Sequence, residues 1–347
     1  MPVVGLLGVV GLVILVLSVM VATAVGTASV DPLDVAGIVL NQLPFVHINE
    51  SWRTTDQTII LQIRLPRVMA AAVVGACLAL SGTLLQGVFR NPMAEPYLVG
   101  ASSGAAFAAV LGFFLFPQAG FFVFGFSWIP LLGFVGALTA VAIVYFAAYS
   151  DGRVSVTTLL LAGVAVGAFL TALQSFIMFT RADDGLQMAS VLSWLFGSVS
   201  TVGWDQFKIL IPFVIVGGVF ARMFAYPLNA MALGEERAGA LGMPVEVIKL
   251  ALIATSALLT AAAVAVAGLV GFVGLVVPHM VRLAAGPDHR NLVWLTPLYG
   301  ASFVILADLL ARTIISPQEI PIGVITGVIG GPFFLVLLRR SKGRYEF

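Results

Sequence analysis

Charged residues are scarce in this sequence. Asp, Glu, Lys and Arg make up only 10% of its 347 residues, whereas a soluble domain usually carries about 25%. Hydrophobic residues account for 60% of the chain, and the mean hydropathy is +1.09. This composition excludes an ordinary globular protein and predicts an integral membrane protein.

Several chemical motifs are also missing. A single cysteine, Cys77, excludes an intrachain disulfide and a multi-thiolate metal site, and its apolar surroundings favour a packing role. No G-x-x-x-x-G-K-[ST] phosphate loop occurs, so ATP-driven transport would need the nucleotide to bind another subunit. No cluster of His, Asp and Glu with catalytic or metal spacing falls within the apolar runs, which argues against an enzyme.

The histidines and the charge balance argue against two further classes of protein, haem-bearing subunits and nucleic-acid-binding proteins. His47, His279 and His289 fall near the ends of apolar runs, whereas a haem-bearing subunit would need axial histidines inside the bundle. The 17 basic and 16 acidic residues form no long block of one sign. Nothing therefore predicts a nucleic-acid partner.

About 20 apolar residues cross a bilayer as a helix, and long uncharged runs fill most of the chain. They predict an all-α protein with a single transmembrane domain over residues 1–347. Its roughly ten spans are Gly5–Val25, Val68–Leu85, Tyr97–Phe116, Ile129–Tyr149, Leu159–Phe179, Ile209–Tyr226, Leu250–Ala267, a shorter helix ending around Pro278–Arg282, Leu292–Leu310 and Ile320–Leu338.

Two of these runs need comment. The first resembles a secretory signal, but it lacks a basic N-terminal region and is a full bilayer long, so we interpret it as a span. The stretch Leu250–Met280 is too long for one upright helix. Gly268, Gly271 and Gly274 in its second half predict a break after Ala267.

The basic residues predict the orientation of the chain. An even number of spans puts both termini on one side of the membrane. With cytoplasmic termini, eleven of the seventeen Lys and Arg residues fall inside, in agreement with the positive-inside rule: Arg90, Arg153, Arg222, Arg237, Lys249, Arg282, Arg290, Arg339, Arg340, Lys342 and Arg344. Both termini are therefore predicted to be cytoplasmic.

Two polar interruptions on the predicted cytoplasmic side are candidates for function. In "QGVFRNPMAEPYLVG", Pro92 and Pro96 stop the helices, and Asn91 can satisfy the freed backbone groups. Arg90 and Glu95 are predicted to be interface anchors. The second interruption, about residues 229–249, contains "ALGEERAGALGMP", whose mixture of charged and small apolar residues predicts an amphipathic surface helix that docks a partner.

Charges near the predicted outer ends of the spans leave alternatives open. Asp308 is the only acid well inside a span, and Arg312 follows four residues later on the same helical face, which predicts a structural ion pair. Arg64 and Arg67 flank the start of another span. With Arg312 they are either interfacial anchors or an electropositive rim for an acidic partner.

Six motifs, "QGVFRNPMAEPYLVGASSGA", "LLLAGVAVG", "ALGEERAGALGMP", "AGLVGFVGLVVPHMVRLAAGPDHR", "ADLLAR" and "EIPIGVITGVIGGPFF", occur in order between about Gln62 and Arg340. Together they strongly resemble the FecCD-type permease subunit of type II ABC importers for vitamin B12, ferric siderophores and haem. The resemblance implies a type II ABC importer permease fold of ten spans in the cytoplasmic (inner) membrane of a bacterium or archaeon.

The resemblance also implies partners. Such a permease pairs with a second copy or a sister permease around a central path. Two cytoplasmic ATPase subunits, which bind ATP and Mg, and one external substrate-binding protein complete the importer. The chain itself would be a transporter subunit with no cofactor, metal site or enzyme activity of its own.

Particular residues gain roles from the resemblance. The loop Ala232–Pro244 matches the coupling loop that contacts the ATPase, with Leu233, Gly234, Glu235, Glu236, Arg237, Ala238, Leu241 and Gly242 at that contact. Arg64, Arg67 and Arg312 match outward arginines that, in the vitamin B12 importer, pair with glutamates of the binding protein. The cytoplasmic gates map to Asn91, Val156 and Thr157, although Val156 departs from the hydroxyl residue expected there.

The fifth predicted span would line the path, and its polar residues are Thr171, Gln174 and Ser175. A wall with so few strong ligands suits a large chelate, because the cargo must leave as well as enter. The family motifs do not distinguish cargoes; a ferric siderophore is favoured over haem and vitamin B12 by its frequency in the family. An ATP-independent secondary carrier or channel is the alternative, and the scarcity of carboxylates in the spans argues against it.

Overall fold

The computed structural model describes residues 2–26, 28–42, 44–50, 52–116, 128–181 and 185–341, so Lys342 and Arg344 lie outside the described residues. The described chain forms α1 (Pro2–Ala24), α2 (Pro32–Leu40), α3 (Thr54–Thr58), a π-helical turn (Ile59–Arg64), α4 (Leu65–Val88), a 3₁₀ turn (Pro96–Val99), α5 (Ala101–Leu115), α6 (Trp128–Ala148), β1 (Tyr149–Ser150), β2 (Arg153–Val154), α7 (Val156–Thr180), α8 (Gly185–Leu195), α9 (Trp204–Met223), α10 (Ala225–Met231), α11 (Glu235–Ala240), α12 (Val245–Ala267), α13 (Val273–Ala285), α14 (His289–Thr313) and α15 (Ile322–Ser341).

Within the described residues, eight helical segments are long and apolar enough to cross a membrane. They are α1, the continuous segment Thr54–Val88, α6, α7, α9, α12, α14 and α15. The two shorter apolar helices, α5 and α13, stand where the third and eighth spans are predicted. The predicted all-α membrane fold is therefore confirmed.

The helices alternate in direction across the bundle. α1 and α14 run the same way, because the Tyr299 hydroxyl donates to the Leu7 carbonyl, 2.9 Å away, near one end and Arg312 donates to the Ala22 carbonyl at the other. We call the side where α1 begins and α15 ends the terminal side, and the opposite side the distal side. The end of α4, the beginning of α12 and the hairpin β1–β2 all lie on the terminal side.

Helix α4 is the centre of the bundle and packs against α14, α12, α9 and α13. Small residues bring these backbones together: a Cβ added at Gly75 would collide with the Gly300 carbonyl, and one at Gly82 with the Gly274 carbonyl. Lipid tails are as apolar as leucine, so close packing rather than hydrophobic burial drives helix association in a membrane. These glycines therefore allow α4 to pack closely against α14 and α13.

The predicted break after Ala267 is confirmed, since α12 ends there and α13 begins at Val273. Gly268 and Phe272, both with φ of 66°, turn the chain between the two helices. The Tyr97 hydroxyl satisfies both backbone groups of Val270, accepting from its N–H at 3.0 Å and donating to its carbonyl at 3.1 Å. The segment that precedes α5 thus supplies hydrogen-bonding partners for the backbone of the break.

Glu95 lies in that same segment, and the predicted interface anchor is wrong. Its Oε1 accepts a hydrogen bond of 2.6 Å from the Phe272 N–H, at the start of α13. An amide without a partner costs several kcal/mol at membrane depth, and the first N–H groups of a helix have no partner within that helix. Glu95 therefore caps α13 inside the protein rather than reaching the membrane surface.

Substitution of Gly75 by alanine tests the packing of α4 on α14. We expect Gly75→Ala to lower the free energy of unfolding in detergent by about 1–3 kcal/mol, because the added methyl group overpacks the contact with Gly300. Gly218→Ala in α9 is the control, since a Cβ there meets nothing within 4 Å and alanine is the better helix former by about 0.5–1 kcal/mol. Equal stabilities for the two variants would contradict this packing argument.

Candidate functional site

A short helix projects from the terminal side in the predicted partner-docking loop. α11 is bounded by Gly234 and Gly242, with φ of 118° and 79°. The N–H groups of Gly242 and Met243 donate to the carbonyls of Gly239 (2.9 Å) and Ala238 (3.3 Å), so the helix ends in a Schellman motif. That motif needs a left-handed residue at Gly242, and glycine takes this conformation without strain.

The surface of this segment is amphipathic. Ala238 is fully buried against the bundle, whereas Leu233 and Leu241 are 66% and 74% exposed. Glu236 and Arg237 are exposed as well, and Glu235 is half-buried. Large exposed apolar side chains among charges are typical of a docking surface.

An open cavity of about 1120 Å³ lies beside α11. It is bordered by the end of α4, the hairpin β1–β2 and the start of α12, and its charged residues are Arg90, Arg153, Glu235, Glu236, Arg237 and Glu246. The cavity therefore brings the predicted docking loop next to the two segments that carry the predicted gate residues.

Lys249 connects three of these elements from within the protein. Its side chain is 2% exposed, and its Nζ donates to Glu235 Oε2 at 2.9 Å, Glu246 Oε1 at 2.7 Å and the Val154 carbonyl at 2.9 Å. Glu246 Oε2 in turn accepts a hydrogen bond of 2.9 Å from the Val154 N–H. An ammonium group has three N–H donors, so the buried charge is fully satisfied, and α11, α12 and the hairpin are held together.

The hairpin leads directly into the predicted gate at the start of α7. Asp151 and Gly152, with φ of 50° and 77°, form its turn, and left-handed residues are what a two-residue hairpin loop requires. Ser155 then caps α7 by accepting from the Thr158 N–H at 3.4 Å. Val156 is half-buried and Thr157 is exposed in the first turn of α7.

The corner after α4 carries the other predicted gate residue, Asn91. Its Oδ1 accepts from the Met93 N–H at 2.9 Å, which confirms that Asn91 satisfies a freed backbone group. Arg90 has a left-handed φ of 50°, and its guanidinium lies 3.7 Å from Glu235 Oε1. The corner therefore touches α11 through an ion pair.

Helix α7 offers a long face that no described part of the chain covers. Leu159 and Gly163 are its only buried residues. Thr171 and Ser175 are exposed and Gln174 is half-buried, but the Ser175 hydroxyl donates to the Thr171 carbonyl at 2.9 Å. The Ser175 hydroxyl is thus bonded within the helix, and among the described residues the Gln174 amide meets only the Met178 sulfur, at 3.8 Å.

The arginines predicted to dock a binding protein lie together on the distal side but are buried. Arg64, Arg67 and Arg312 have exposures of 5%, 8% and 4%. Arg64 donates to the carbonyls of Thr23 at 3.2 Å and Ala24 at 2.9 Å, at the end of α1. Because the last carbonyls of a helix have no partners within it, Arg64 and Arg312 together cap α1.

Arg67 is held by two acids. Its guanidinium bonds both carboxylate oxygens of Asp308, at 2.8 and 3.1 Å, and those of Glu319, at 2.8 and 3.0 Å. Asp308 also lies 3.5 Å from Arg312, so the predicted pair is confirmed, although Arg67 is the closer partner. Neither an interfacial anchor nor an exposed rim describes these contacts, and the docking role stays a prediction.

The terminal side contains a second cluster of polar contacts, which the sequence did not predict. The Asn229 amide donates to Asp288 at 2.7 Å and accepts from the His289 N–H at 2.9 Å, joining α10 to the start of α14. Hydrogen bonds from Arg290 hold the pKa of Asp288 well below its usual range. Arg290 also lies over the Tyr226 ring, 5.1 Å from its centroid. These contacts fix the end of α14 rather than form an open site.

Comparison with known proteins supports the resemblance read from the motifs. A model of the FecCD transport family matches residues 14–340. The chain is 44% identical to the cobalamin import system permease of Halobacterium salinarum, over 84% of this chain and 76% of that one. It is 40% identical to the hemin transport system permease of Yersinia pestis, over 81% of this chain and 83% of that one.

A solved structure is similar over nearly the whole fold. It is described as an inward-facing conformation of a metal-chelate type ABC transporter. The TM-score is 0.79 at 31% sequence identity, and the match covers 94% of this chain and 97% of that one. The similarity therefore extends to the arrangement of the helices and is not confined to isolated motifs.

Neutralising Asp308 tests the structural role of the distal cluster. We expect Asp308→Asn to lower the free energy of unfolding by about 3–5 kcal/mol, because it removes the buried acid that pairs with both Arg67 and Arg312. Asp205→Asn is the control, since Asp205 pairs with Lys208 at 3.8 Å with both side chains more than 70% exposed, and such pairs contribute little. A thermal or denaturant unfolding curve for Asp308→Asn that overlays the control would refute this role.

Proposed function

The chain belongs to the FecCD transport family, and we propose that it is the permease subunit of an ATP-driven importer that carries a metal chelate from an external binding protein into the cytoplasm. The observation that carries this proposal is α11, which lies beside both predicted gate segments and is flanked by the exposed Leu233 and Leu241. A surface helix of this kind gives an ATPase a place to act on the membrane bundle. ATP and Mg would bind that separate subunit.

The proposed orientation puts the terminal side in the cytoplasm. The basic residues Arg90, Arg237, Lys249 and Arg290 lie on that side, in keeping with the positive-inside rule. Both termini would then be cytoplasmic, in the inner membrane of a bacterium or archaeon, with the distal side facing the external binding protein. Two ATPase subunits would sit beneath a pair of permeases, one on each α11 and its flanking residues.

The uncovered face of α7 supports the pairing of two permeases. Thr157, Thr171 and Ser175 lie on this face, and a second copy or a sister permease would enclose a path between the two α7 helices. Asn91, Val156 and Thr157 would close the inner mouth of that path. Because Thr171, Gln174 and Ser175 make few strong contacts, the cargo would be gripped by the binding protein and released through the permease.

A ferric siderophore is the proposed cargo, with haem and vitamin B12 as the other chelates to compare. Cobalamin and hemin, the cargoes named for two of the similar permeases, are both large metal complexes. An ATP-independent carrier would need a carboxylate free to bind a proton or sodium ion. Asp308 is instead paired with Arg67 and Arg312, and Glu95 caps α13.

The distal arginine cluster is proposed to help dock the binding protein. Three arginines, Arg64, Arg67 and Arg312, lie in the cluster with two acids, Asp308 and Glu319, so the cluster keeps an excess positive charge. Its field can attract the acidic surface of a binding protein even though the guanidinium groups are buried. Glu319, with a side-chain exposure of 34%, is the part of the cluster nearest to solvent.

Polar substitution of an exposed leucine tests the ATPase contact. We expect Leu241→Ser to weaken copurification of the ATPase subunit about tenfold, because Leu241, directly after α11, is 74% exposed and would be an apolar anchor for the ATPase. Leu33→Ser is the matched control, since Leu33 is 82% exposed on the distal side. Retention of the ATPase by Leu241→Ser at the level of Leu33→Ser would rule out α11 as the docking site.

Reconstitution of the purified complex in proteoliposomes tests both the mechanism and the cargo. We expect uptake of a labelled ferric hydroxamate to depend on ATP and on the binding protein, and to exceed uptake of haemin and cyanocobalamin. Preferred uptake of either of the other two would replace the proposed cargo. Uptake by the permease alone, driven by a proton or sodium gradient, would instead support the secondary carrier.

A further inference from the structure

We propose that Glu235 and Lys249 link α11 to both inner gate segments, so that a displacement of α11 moves the corner after α4 and the hairpin before α7 together. This inference rests on the proposed function, because it assigns to α11 the movement imposed by an ATPase. Glu235 and Lys249 act here as positioning residues that do not touch the cargo.

The first arm of the link runs through Lys249 to the hairpin. Glu235 Oε2 accepts from Lys249 Nζ at 2.9 Å, and the same Nζ donates to the Val154 carbonyl at 2.9 Å. Lys249 is 2% exposed, so its ammonium group is shielded from water and depends on these protein partners. Glu246 reinforces the arm by bonding both Lys249 Nζ and the Val154 N–H. Val154 stands two residues before Val156, at the start of α7.

The second arm runs through Arg90 to the corner that contains Asn91. Glu235 Oε1, the other oxygen of the same carboxylate, lies 3.7 Å from the Arg90 guanidinium. One carboxylate at the start of α11 is therefore shared between the two segments. A rotation or translation of α11 must either carry both segments with it or break these bonds.

The backbone at Arg90 shows that its side chain has a role beyond ending the helix. The N–H groups of Arg90 and Asn91 donate to the carbonyls of Gly87 (3.3 Å) and Gln86 (3.2 Å), the same Schellman pattern that ends α11 at Gly242. Glycine takes the left-handed position of that motif without strain, whereas arginine does not. The strained arginine is explained if the ion pair to Glu235 is needed.

Loss of the first arm can be measured on the isolated permease. Spin labels at Ala240→Cys in α11 and Ser150→Cys in the hairpin occupy exposed positions, and Cys77 is too deeply buried to take up label. We expect a single narrow distance distribution in the parent and a broad one after Lys249→Met, with Lys249→Arg intermediate. Lys208→Met removes the lysine of an exposed distal pair and should leave the distribution narrow. A narrow distribution in Lys249→Met would overturn the first arm.

Loss of the second arm can be measured in the reconstituted complex with its ATPase and binding protein. Arg90→Gly relieves the backbone strain and removes the ion pair, so it should not lower the melting temperature, yet it should raise the ATP hydrolysed per ferric hydroxamate imported about fivefold or more. Asp151→Gly is the matched control, because Asp151 has the same φ of 50° but makes no ion pair with another of the described elements. It should keep the parental ratio.

The outcomes separate this inference from the proposed function. A parental ratio in Arg90→Gly, or an equal rise in Asp151→Gly, would overturn the link through Arg90 while leaving the importer intact. A parent complex with no ATP-dependent uptake of ferric hydroxamate, haemin or cyanocobalamin would overturn the proposed function. The distance measurement on the isolated permease would still decide whether Lys249 ties α11 to the hairpin.

Discussion

A peptide group that leaves a helix at membrane depth must find its hydrogen-bonding partner within the protein, because lipid offers none. The connection between α12 and α13 is where this requirement is most demanding. Tyr97 and Glu95 meet it by bonding Val270 and Phe272. On the other side of the break, the Ser198 N–H donates to the Ala267 carbonyl at 2.8 Å. The break leaves backbone groups of Ala267, Val270 and Phe272 without partners in a helix. Hydrogen bonds to these groups therefore fix the positions of the segment before α5 and of the turn after α8.

The same requirement governs the charges. Arg67 would destabilise the distal side if it were buried alone, and Asp308 and Glu319 together neutralise it. Lys249 is equally enclosed and has Glu235 and Glu246 as partners. In each case at least one of the acidic partners comes from a different element of the chain. Pairing therefore fixes the relative positions of helices as well as satisfying the charges.

The helices were predictable because apolar runs of bilayer length are themselves the signal, and the break after Ala267 followed from clustered glycines. The contacts made at the ends of these elements were harder to predict from the sequence. Glu95 was misread because nothing in its local sequence reveals an unpaired amide at Phe272, 177 residues away. The Asp308–Arg312 pair was visible at helical spacing, whereas Arg67, 241 residues from Asp308, was not.

At the candidate site too, the sequence predicted the local helix but not its contacts with distant parts of the chain. The amphipathic character of the docking loop was readable from composition, and α11 forms within it. Glu246 and Lys249 stand three residues apart on one helix, a spacing that sequence alone identifies as a pair. The contacts of Glu235 with Arg90 and of Lys249 with Val154 depend on how α4, α11, α12 and the hairpin pack together. No local sequence pattern encodes that packing.

The two ends of the bundle use buried charge differently. On the distal side, Asp308 and Arg67 are 1% and 9% exposed, and the buried bonds between them hold α4 against α14; Glu319, the second acid on Arg67, is 34% exposed. On the terminal side, a buried lysine meets carboxylates whose side chains are 28% and 30% exposed. Water can replace a bond to a partly exposed carboxylate at small cost, whereas it cannot reach a buried one. The Asp308–Arg67 pair is therefore suited to hold α4 and α14 still, whereas the bonds of Lys249 to its two carboxylates are open to water at one end.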